Sequence, residues 1–514
     1  LNKIDAIAIP NDILIGKDIL ELVSSSMYVD PLTIYREYIQ NAADSIDEAT
    51  EKAILSRRSQ GRIDITLDLN ERRVVIRDNG AGVPNGQFAR RLTALGGSRK
   101  RGTSARGFRG IGRLAGLGYC QELIFRSRAS GDNSVHELRW DCRVFKKLLQ
   151  DHKYVGGIRE TIHEVATLRK LPGEGWPEHF YEVELVKPIR IKNDLLLNRE
   201  AIATYLSQCA CAPFSPDFQF GKQIRAFLRK HFDLGDVNIF IDGSTAPIYR
   251  PYRDTYAYGE GKRDAFSEVE FVILSGSSGS PAAVGWLLHH GYHGSIPLSE
   301  GVGGLRARKG NIQVGNPRIF ADSFPEPRFA TWAVGEIHII EERVIPNGRR
   351  DQFEQSAAYG DLVNQLTPIG SKIAKLCRSN SVARNRIKNF EFGAEKINER
   401  LEILEQGAVR DRAAEALVAE IRSELFEIKR ASKTEKIVDS HRAAIEEHYS
   451  KLEERLEKIE NEGNESPNAL NCIPENERPV FQKMIALIYE CSTNRVAAKA
   501  LVDRILARLG ALDT

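Results

Sequence analysis

Near residue 376 the chain changes its period, and that change limits the kinds of architecture it can hold. Before this point, short apolar runs alternate with helical stretches and with loops of glycine, serine and proline. Beyond it the sequence is charged and poor in glycine and proline. Its apolar residues step by three and four: Ile387, Phe390, Ala394, Ile397, Leu401 and Leu404, then Ile445, Tyr449, Leu452, Leu456 and Ile459. That spacing gathers side chains on one stripe of an α-helix, so the region predicts helical seams, either a coiled coil or an antiparallel hairpin. Layered α/β structure is expected upstream.

The upstream part divides again. Residues 63–69 and 73–78 read as strands flanking a turn at Asn70-Glu71, and residues 138–144 as a further strand. Strands at 237–241, 269–274, 283–288 and 335–340 indicate a second α/β domain. The expected organisation is an α/β domain over 1–185, a second over 186–375, helical arms over 376–465 and a small helical cap over 466–514. A chain of 514 residues, 42% hydrophobic, is long enough to bury several cores. Its formal net charge of +3 excludes any global electrostatic argument for nucleic acid or membrane. Seven cysteines without a CxxC pair read as reduced thiols, and the lone pair Cys209 and Cys211 has no neighbours to complete a metal site. No signal peptide and no membrane-spanning apolar run is read. Leu1 in place of Met reads as a processed or an artificially chosen start. The cytoplasm is the expected location.

Three short segments carry chemistry. In Arg36-Glu37-Tyr38-Ile39-Gln40-Asn41-Ala42-Ala43-Asp44-Ser45, Glu37 and Asn41 lie four apart on one helical face. A carboxylate there can orient water while an amide oxygen holds a Mg²⁺ ion bridging phosphates. In Ile76-Arg77-Asp78-Asn79-Gly80-Ala81-Gly82, a strand runs into a glycine loop. Asp78 can accept a hydrogen bond from an exocyclic amine such as that of adenine, and Gly80 and Gly82 let a flat ring approach the backbone. The third segment, residues 107–118, reads Gly-x-x-Gly-x-Gly, the reverse of the dinucleotide spacing, and follows a basic stretch rather than a strand. It reads as a glycine-rich turn leading into a small-residue helix whose first amides can face a phosphate. Each segment alone has a plainer reading: a polar helix face, an Asn-Gly turn, close helix packing.

In this order and spacing the three segments resemble the nucleotide-binding motifs of the GHKL superfamily, which includes gyrase B, the ninety-kilodalton heat-shock chaperones, histidine kinases, MutL and the MORC proteins. The resemblance covers roughly residues 10–185 and implies a Bergerat-type ATP-binding α/β sandwich. It implies Glu37 as general base, Asn41 as Mg²⁺ ligand with Asp44 in the same motif, and Asp78 as the adenine-reading acid above Gly80 and Gly82. Ser98, Arg99 and Lys100 would begin the ATP lid, and Gly107, Phe108, Arg109, Gly110, Ile111 and Gly112 would wrap the triphosphate. The Gly-Thr pair usual late in this domain is missing from His179 to Leu185, with Thr161 as a candidate replacement. The lid's basic residues, Arg106 among them, read as charge compensation or a solvated lid.

Residues 186–375 would then be a transducer that brings a cation to the γ-phosphate, and two segments compete for that role. Arg343 to Asp351 resembles the Leu-Asn-x-x-Arg-Glu loop of the heat-shock chaperones and puts Arg350 at the phosphate-sensing position. The basic loop Leu305 to Asn311 offers Arg308. The implied activity is slow Mg²⁺-dependent ATP hydrolysis in an ATP-gated clamp of a stand-alone prokaryotic type. Such a clamp is a homodimer exchanging residues 1–30, acting on a protein partner or on DNA in repair or genome defence. A heat-shock-type chaperone and a non-hydrolysing ATP-binding interaction module are the alternatives.

Overall fold

The computed structural model describes residues 16–21, 30–94, 106, 110–258, 262–276, 279–407, 409, 411–432, 439–461, 470–471 and 473–510. Two compact units divide the chain, Leu1–Ala374 and Lys375–Thr514. The first unit opens with α1 (Asp18–Glu21) and the long α2 (Thr33–Glu51), followed by the hairpin β1 (Arg62–Asp68) and β2 (Arg73–Asp78) and by α3 (Asn85–Thr93). After a 3₁₀ segment at Gly112–Gly118 come β3 (Glu122–Arg128), β4 (Ser134–Asp141), α4 (Cys142–Gln150), α5 (Ile158–Val165), β5 (Ala166–Pro172) and β6 (Phe180–Val186). The strand expected over 138–144 stops at Asp141. Its Oδ1 accepts the amides of Arg143 and Val144 at 2.9 and 3.1 Å, which caps α4 and turns the chain out of the sheet.

Helices α6 (Arg199–Cys209) and α7 (Gly221–Leu228) then precede β7 (Asn238–Ile241). This strand does not begin a second sheet. It pairs in parallel with β1, Ile63 opposite Ile239 and Ile65 opposite Ile241, and completes the order β5-β4-β3-β6-β2-β1-β7. All other neighbours in this sheet are antiparallel. The first core therefore extends past residue 185 to Leu196, Ile202, Leu206, Ile239 and Ile241. A parallel strand needs a crossover, and α6 lies within it.

Helix α2 buries Ile34, Tyr35, Tyr38, Ile39, Ala42, Ala43, Ile46 and Ala49 against this sheet. Each large aliphatic among them stabilises the packing by about 1.5–3 kcal/mol. A set of cross-strand ion pairs also ties the sheet together: Arg126 reaches Glu137, Glu182 and Glu184 at 2.8, 2.8 and 2.6 Å, and Arg77 reaches Glu182.

The rest of the first unit holds the small hairpin β8 (Thr255–Tyr258) and β9 (Lys262–Ala265) and a second sheet. That sheet is built from β10 (Glu268–Ser275), β11 (Pro281–His289), β12 (Gly304–Lys309), β13 (Ile312–Val314) and β14 (Val334–Ile339), ordered β10-β11-β14-β12-β13. Phe214, Phe218, Tyr252 and Trp286 form its aromatic core.

Helix α8 (Ala357–Glu405) begins in the first unit and ends in the second. In the second unit its residues Ala394, Ile397, Leu401 and Leu404 pack with Ile421 and Leu425 of α9 (Asp411–Ser432) and Leu452 and Leu456 of α10 (Asp439–Asn461). The seams fold back on one another within one chain. Salt bridges of Arg400 to Glu420 and Glu424, and of Arg455 to Glu405, flank them. A smaller core joins α11 (Arg478–Cys491) and α12 (Arg495–Gly510) through Ile485, Tyr489, Ala498 and Val502. Among the described residues no helix is long and apolar enough to cross a membrane.

Candidate functional site

Helix α2 brings Arg36, Glu37, Asn41 and Asp44 along one side of the first core. Glu37 is buried, 7% exposed. The Arg36 guanidinium donates through Nη2 to Glu37 Oε1 at 3.1 Å and to the carbonyl of Arg349 at 3.1 Å. Glu37 Oε2 lies where a Cβ on Gly112 would sit, so only glycine admits the carboxylate there. One turn along the same segment, the Gly116 amide donates to the Tyr38 hydroxyl at 2.9 Å. The glycine-rich run is therefore shaped at Gly112 and Gly116 by two neighbouring α2 side chains. Gly110 and Ile111 lead into it, and Asn41 is half-buried one helical turn beyond Glu37.

Asp78 ends β2 and is 2% exposed. Its Oδ1 accepts the Gly80 amide at 2.8 Å. Burial pushes its carboxyl up to about 7, against the opposing pull of the Gly80 amide and the Ser45 hydroxyl. A Cβ on Gly80 would collide with Ser45, and one on Gly82 with the Arg128 carbonyl. The missing side chains thus make room for protein, where the sequence suggested a floor beneath a ring. The loop is fastened from the far side as well: Val83 N donates to Ser127 Oγ at 2.8 Å, Ser127 Oγ donates to the Phe180 carbonyl at 2.9 Å, and His179 Nδ1 lies 2.8 Å from the Gly80 carbonyl oxygen. Thr161 is buried in α5 and donates to the Gly157 carbonyl at 2.8 Å, a bond internal to that helix end.

The expected lid residues Ser98, Arg99, Lys100, Gly107, Phe108 and Arg109 lie outside the described residues. Arg106 is described, and it is not solvated: its side chain is 5% exposed and bonds to Asp44, Asp47 and the carbonyls of Gly235 and Gly310. Asp44 also accepts the Arg106 amide at 3.0 Å. Of the two transducer candidates, Arg350 comes to this side: it is buried, and its Nη2 donates to the Arg106 carbonyl at 2.5 Å. Arg308 does not. The segment taken for a basic loop is strand β12, and Arg308 is fully buried there, bonded to Glu336 at 2.6 Å and to the carbonyls of Gln208, Ala210 and Asn311. A buried guanidinium with a buried carboxylate partner looks in sequence like a surface charge. Sequence reasoning gave no role to Arg36, Ser45, Ser127 or His179, each of which has a partner in another element.

The fold and these motifs define a GHKL-type ATPase domain, and the family of histidine kinase-, DNA gyrase B- and HSP90-like ATPases matches residues 33–163. This match supports a GHKL-type ATPase domain over about a quarter of the chain. Among named relatives, the chain is similar to chaperone protein HtpG of Rickettsia typhi, 29% identical over 139 residues, 24% of this chain and 22% of that protein. It is likewise similar to HtpG of Chlorobium chlorochromatii, 33% identical over 92 residues, 17% of this chain and 14% of that one. The similarity thus spans about a fifth or less of the relatives' length.

Proposed function

We propose that this chain binds Mg²⁺-ATP beside α2 and hydrolyses it slowly, and that nucleotide state operates a dimeric clamp on a partner macromolecule. The observation that carries this reading is the shared guanidinium of Arg36, bonded at once to Glu37 and to the backbone of Arg349, next to Arg350. It joins the proposed base to the proposed phosphate-sensing loop.

Glu37 accepts a proton from the attacking water, its carboxylate held by Arg36 on one oxygen and confined by Gly112 on the other. Asp78 receives the adenine amine as an ionised carboxylate. Arg350, brought up by the loop at 347–351, stabilises charge on the transferred phosphate. Asn41 is the residue that would hold the magnesium ion. The donor set fits it, an amide oxygen one helical turn from a carboxylate, with Asp44 a turn further on. When bound, the ion neutralises phosphate oxygens. Asp44 serves the site by receiving Arg106.

In the clamp, residues 1–185 together with α6 and β7 bind the nucleotide, the rest of residues 186–375 transmit its state, and the helical arms and cap at 376–514 contribute partner contacts. DNA in repair or genome defence is the partner we favour testing first. A chaperone role is the second reading, favoured by the name of the HtpG relatives. Cytoplasmic location accords with both.

Steady-state turnover with Mg²⁺-ATP tests the core of the proposal. The wild type turns over slowly, while Glu37→Ala binds ATP normally and loses roughly 10²–10⁴-fold in rate, the range for a general base. Binding without turnover in both proteins would leave ATP as a conformational ligand only. A mass measurement with a nonhydrolysable analogue tests the clamp, and an unchanged monomer would sink it. Stimulation by DNA, or suppression of client aggregation, separates the two partners.

A further inference from the structure

Arg106 sits in a socket built from two directions. From the nucleotide side, Asp44 Oδ1 accepts its amide at 3.0 Å and its Nη1 at 3.3 Å, and Asp47 Oδ2 accepts Nη1 at 2.5 Å. From the other side come two backbone carbonyls, Gly310 to Nε at 2.9 Å and Gly235 to Nη2 at 3.0 Å. Gly310 is the turn between β12 and β13, and Gly235 precedes β7. Both glycines have positive φ, +57° and +59°, a conformation that other residues adopt with strain. A Cβ on either would strike Arg106 itself, its Cγ at 2.9 Å in the case of Gly310. Both turns therefore close on this side chain, the Gly235 turn on Arg58 as well, and the Arg106 carbonyl receives Arg350.

We infer that Arg106 is a positioning residue for hydrolysis: seated between Asp44 and Asp47 and the carbonyls of Gly235 and Gly310, it fixes the backbone on which the Arg350 guanidinium is aimed. The inference rests on the proposed ATPase reading and adds a specific part to it. A guanidinium suits the place because its planar fork serves carboxylates and carbonyls together, which a lysine ammonium does with fewer directed bonds. Arg106 acts on the reaction through Arg350, so its removal should affect the chemical step more than nucleotide affinity.

The test compares the kcat and KM of wild type, Arg106→Lys and Gly310→Ala, with thermal midpoints, and adds Arg350→Ala and the double variant Arg106→Lys/Arg350→Ala by single turnover so that slow rates stay readable. Arg106→Lys keeps the charge that Asp44 and Asp47 require; Gly310→Ala keeps the arginine and spoils its seat. Both are expected to lower kcat about tenfold or more, as small misplacements in a site do, with KM within about threefold. Arg106→Lys should have no further effect once Arg350 is gone. A kcat within twofold of wild type in Arg106→Lys, or the same fold-loss with and without Arg350, overturns the inference while leaving the ATPase standing. A wild type without turnover overturns both.

Discussion

Glu37 and Glu336 are both buried carboxylates beside arginines, yet they are held in different ways. Glu336 is fully enclosed. Arg308 Nε and the Tyr252 hydroxyl bond to one oxygen at 2.6 and 3.1 Å, and Arg250 and His338 bond to the other. Burial alone would raise its pKa, but Arg250 and Arg308 hold it well below the usual carboxylate range. Around Glu37, Arg36 reaches one oxygen while the other rests against a glycine that offers no side chain. A carboxylate whose oxygens are saturated by donors fixes structure, whereas one with an oxygen turned toward bare backbone keeps capacity for chemistry.

The sharpest way to break this comparison is Glu336→Ala. It leaves Arg250 and Arg308 without their shared partner, and urea denaturation should show a loss of about 3–5 kcal/mol, the cost of an uncompensated buried charge. Removal of Glu37 also unpairs Arg36, but that guanidinium keeps the Arg349 carbonyl, and the loss should be smaller, about 1–3 kcal/mol. Equal losses from the two would erase the distinction.

Asp78 sharpens it through pH, because its shift runs opposite to that of Glu336. The folded pKa of Asp78, about 7, is above its unfolded value. Its contribution to stability is therefore greatest below the unfolded pKa of about 3.9 and is lost as pH rises toward 7, by an amount on the order of a few kcal/mol. Glu336, depressed in the folded state, contributes above its unfolded pKa of about 4.3 and loses that contribution as pH falls. Urea midpoints between pH 5 and 8 should fall in wild type relative to Asp78→Asn. The same variant should weaken adenosine binding about tenfold at pH 8, the scale of one hydrogen bond to a charged group. In wild type, adenosine affinity should rise from pH 6 to 8 as Asp78 ionises; a flat profile would remove Asp78 from the adenine site.

The smallest effect expected is that of Gly112→Ala. The new methyl must displace the Glu37 carboxylate, and turnover should fall by several-fold, up to about tenfold, with ATP affinity held. Unchanged turnover would show that the approach to Gly112 does not set the position of the base.

What was legible of the candidate site is its local geometry: the helical spacing of four that puts Glu37 and Asn41 on one face, and the strand that runs into glycine after Asp78; the roles proposed for these residues came from the resemblance. What escaped the sequence is pairing over distance. The β12 arginines read as a loop because the partner that neutralises Arg308 is Glu336, 28 residues on, and β7 read as the start of a new layer because its neighbour β1 lies far upstream. Arg106 needs Asp44, Asp47, Gly235 and Gly310 together before its burial makes sense. The end of β4 is different: Asp141 was a readable cap signal, local in sequence, that the expected strand over 138–144 ran through.

The loop after Asp78 has a thermodynamic consequence. Glycine-rich loops are usually thought of as loose, so that a guest must order them on arrival. Here Gly80 and Gly82 are wedged against Ser45 and the Arg128 carbonyl, and the Ala81 and Val83 amides are already bonded to Ser45 O and Ser127 Oγ, at 3.0 and 2.8 Å. The entropy of ordering this backbone is spent when the protein folds. The ring proposed to enter beside Asp78 would meet a surface already set, and its affinity would not be reduced by freezing a loop.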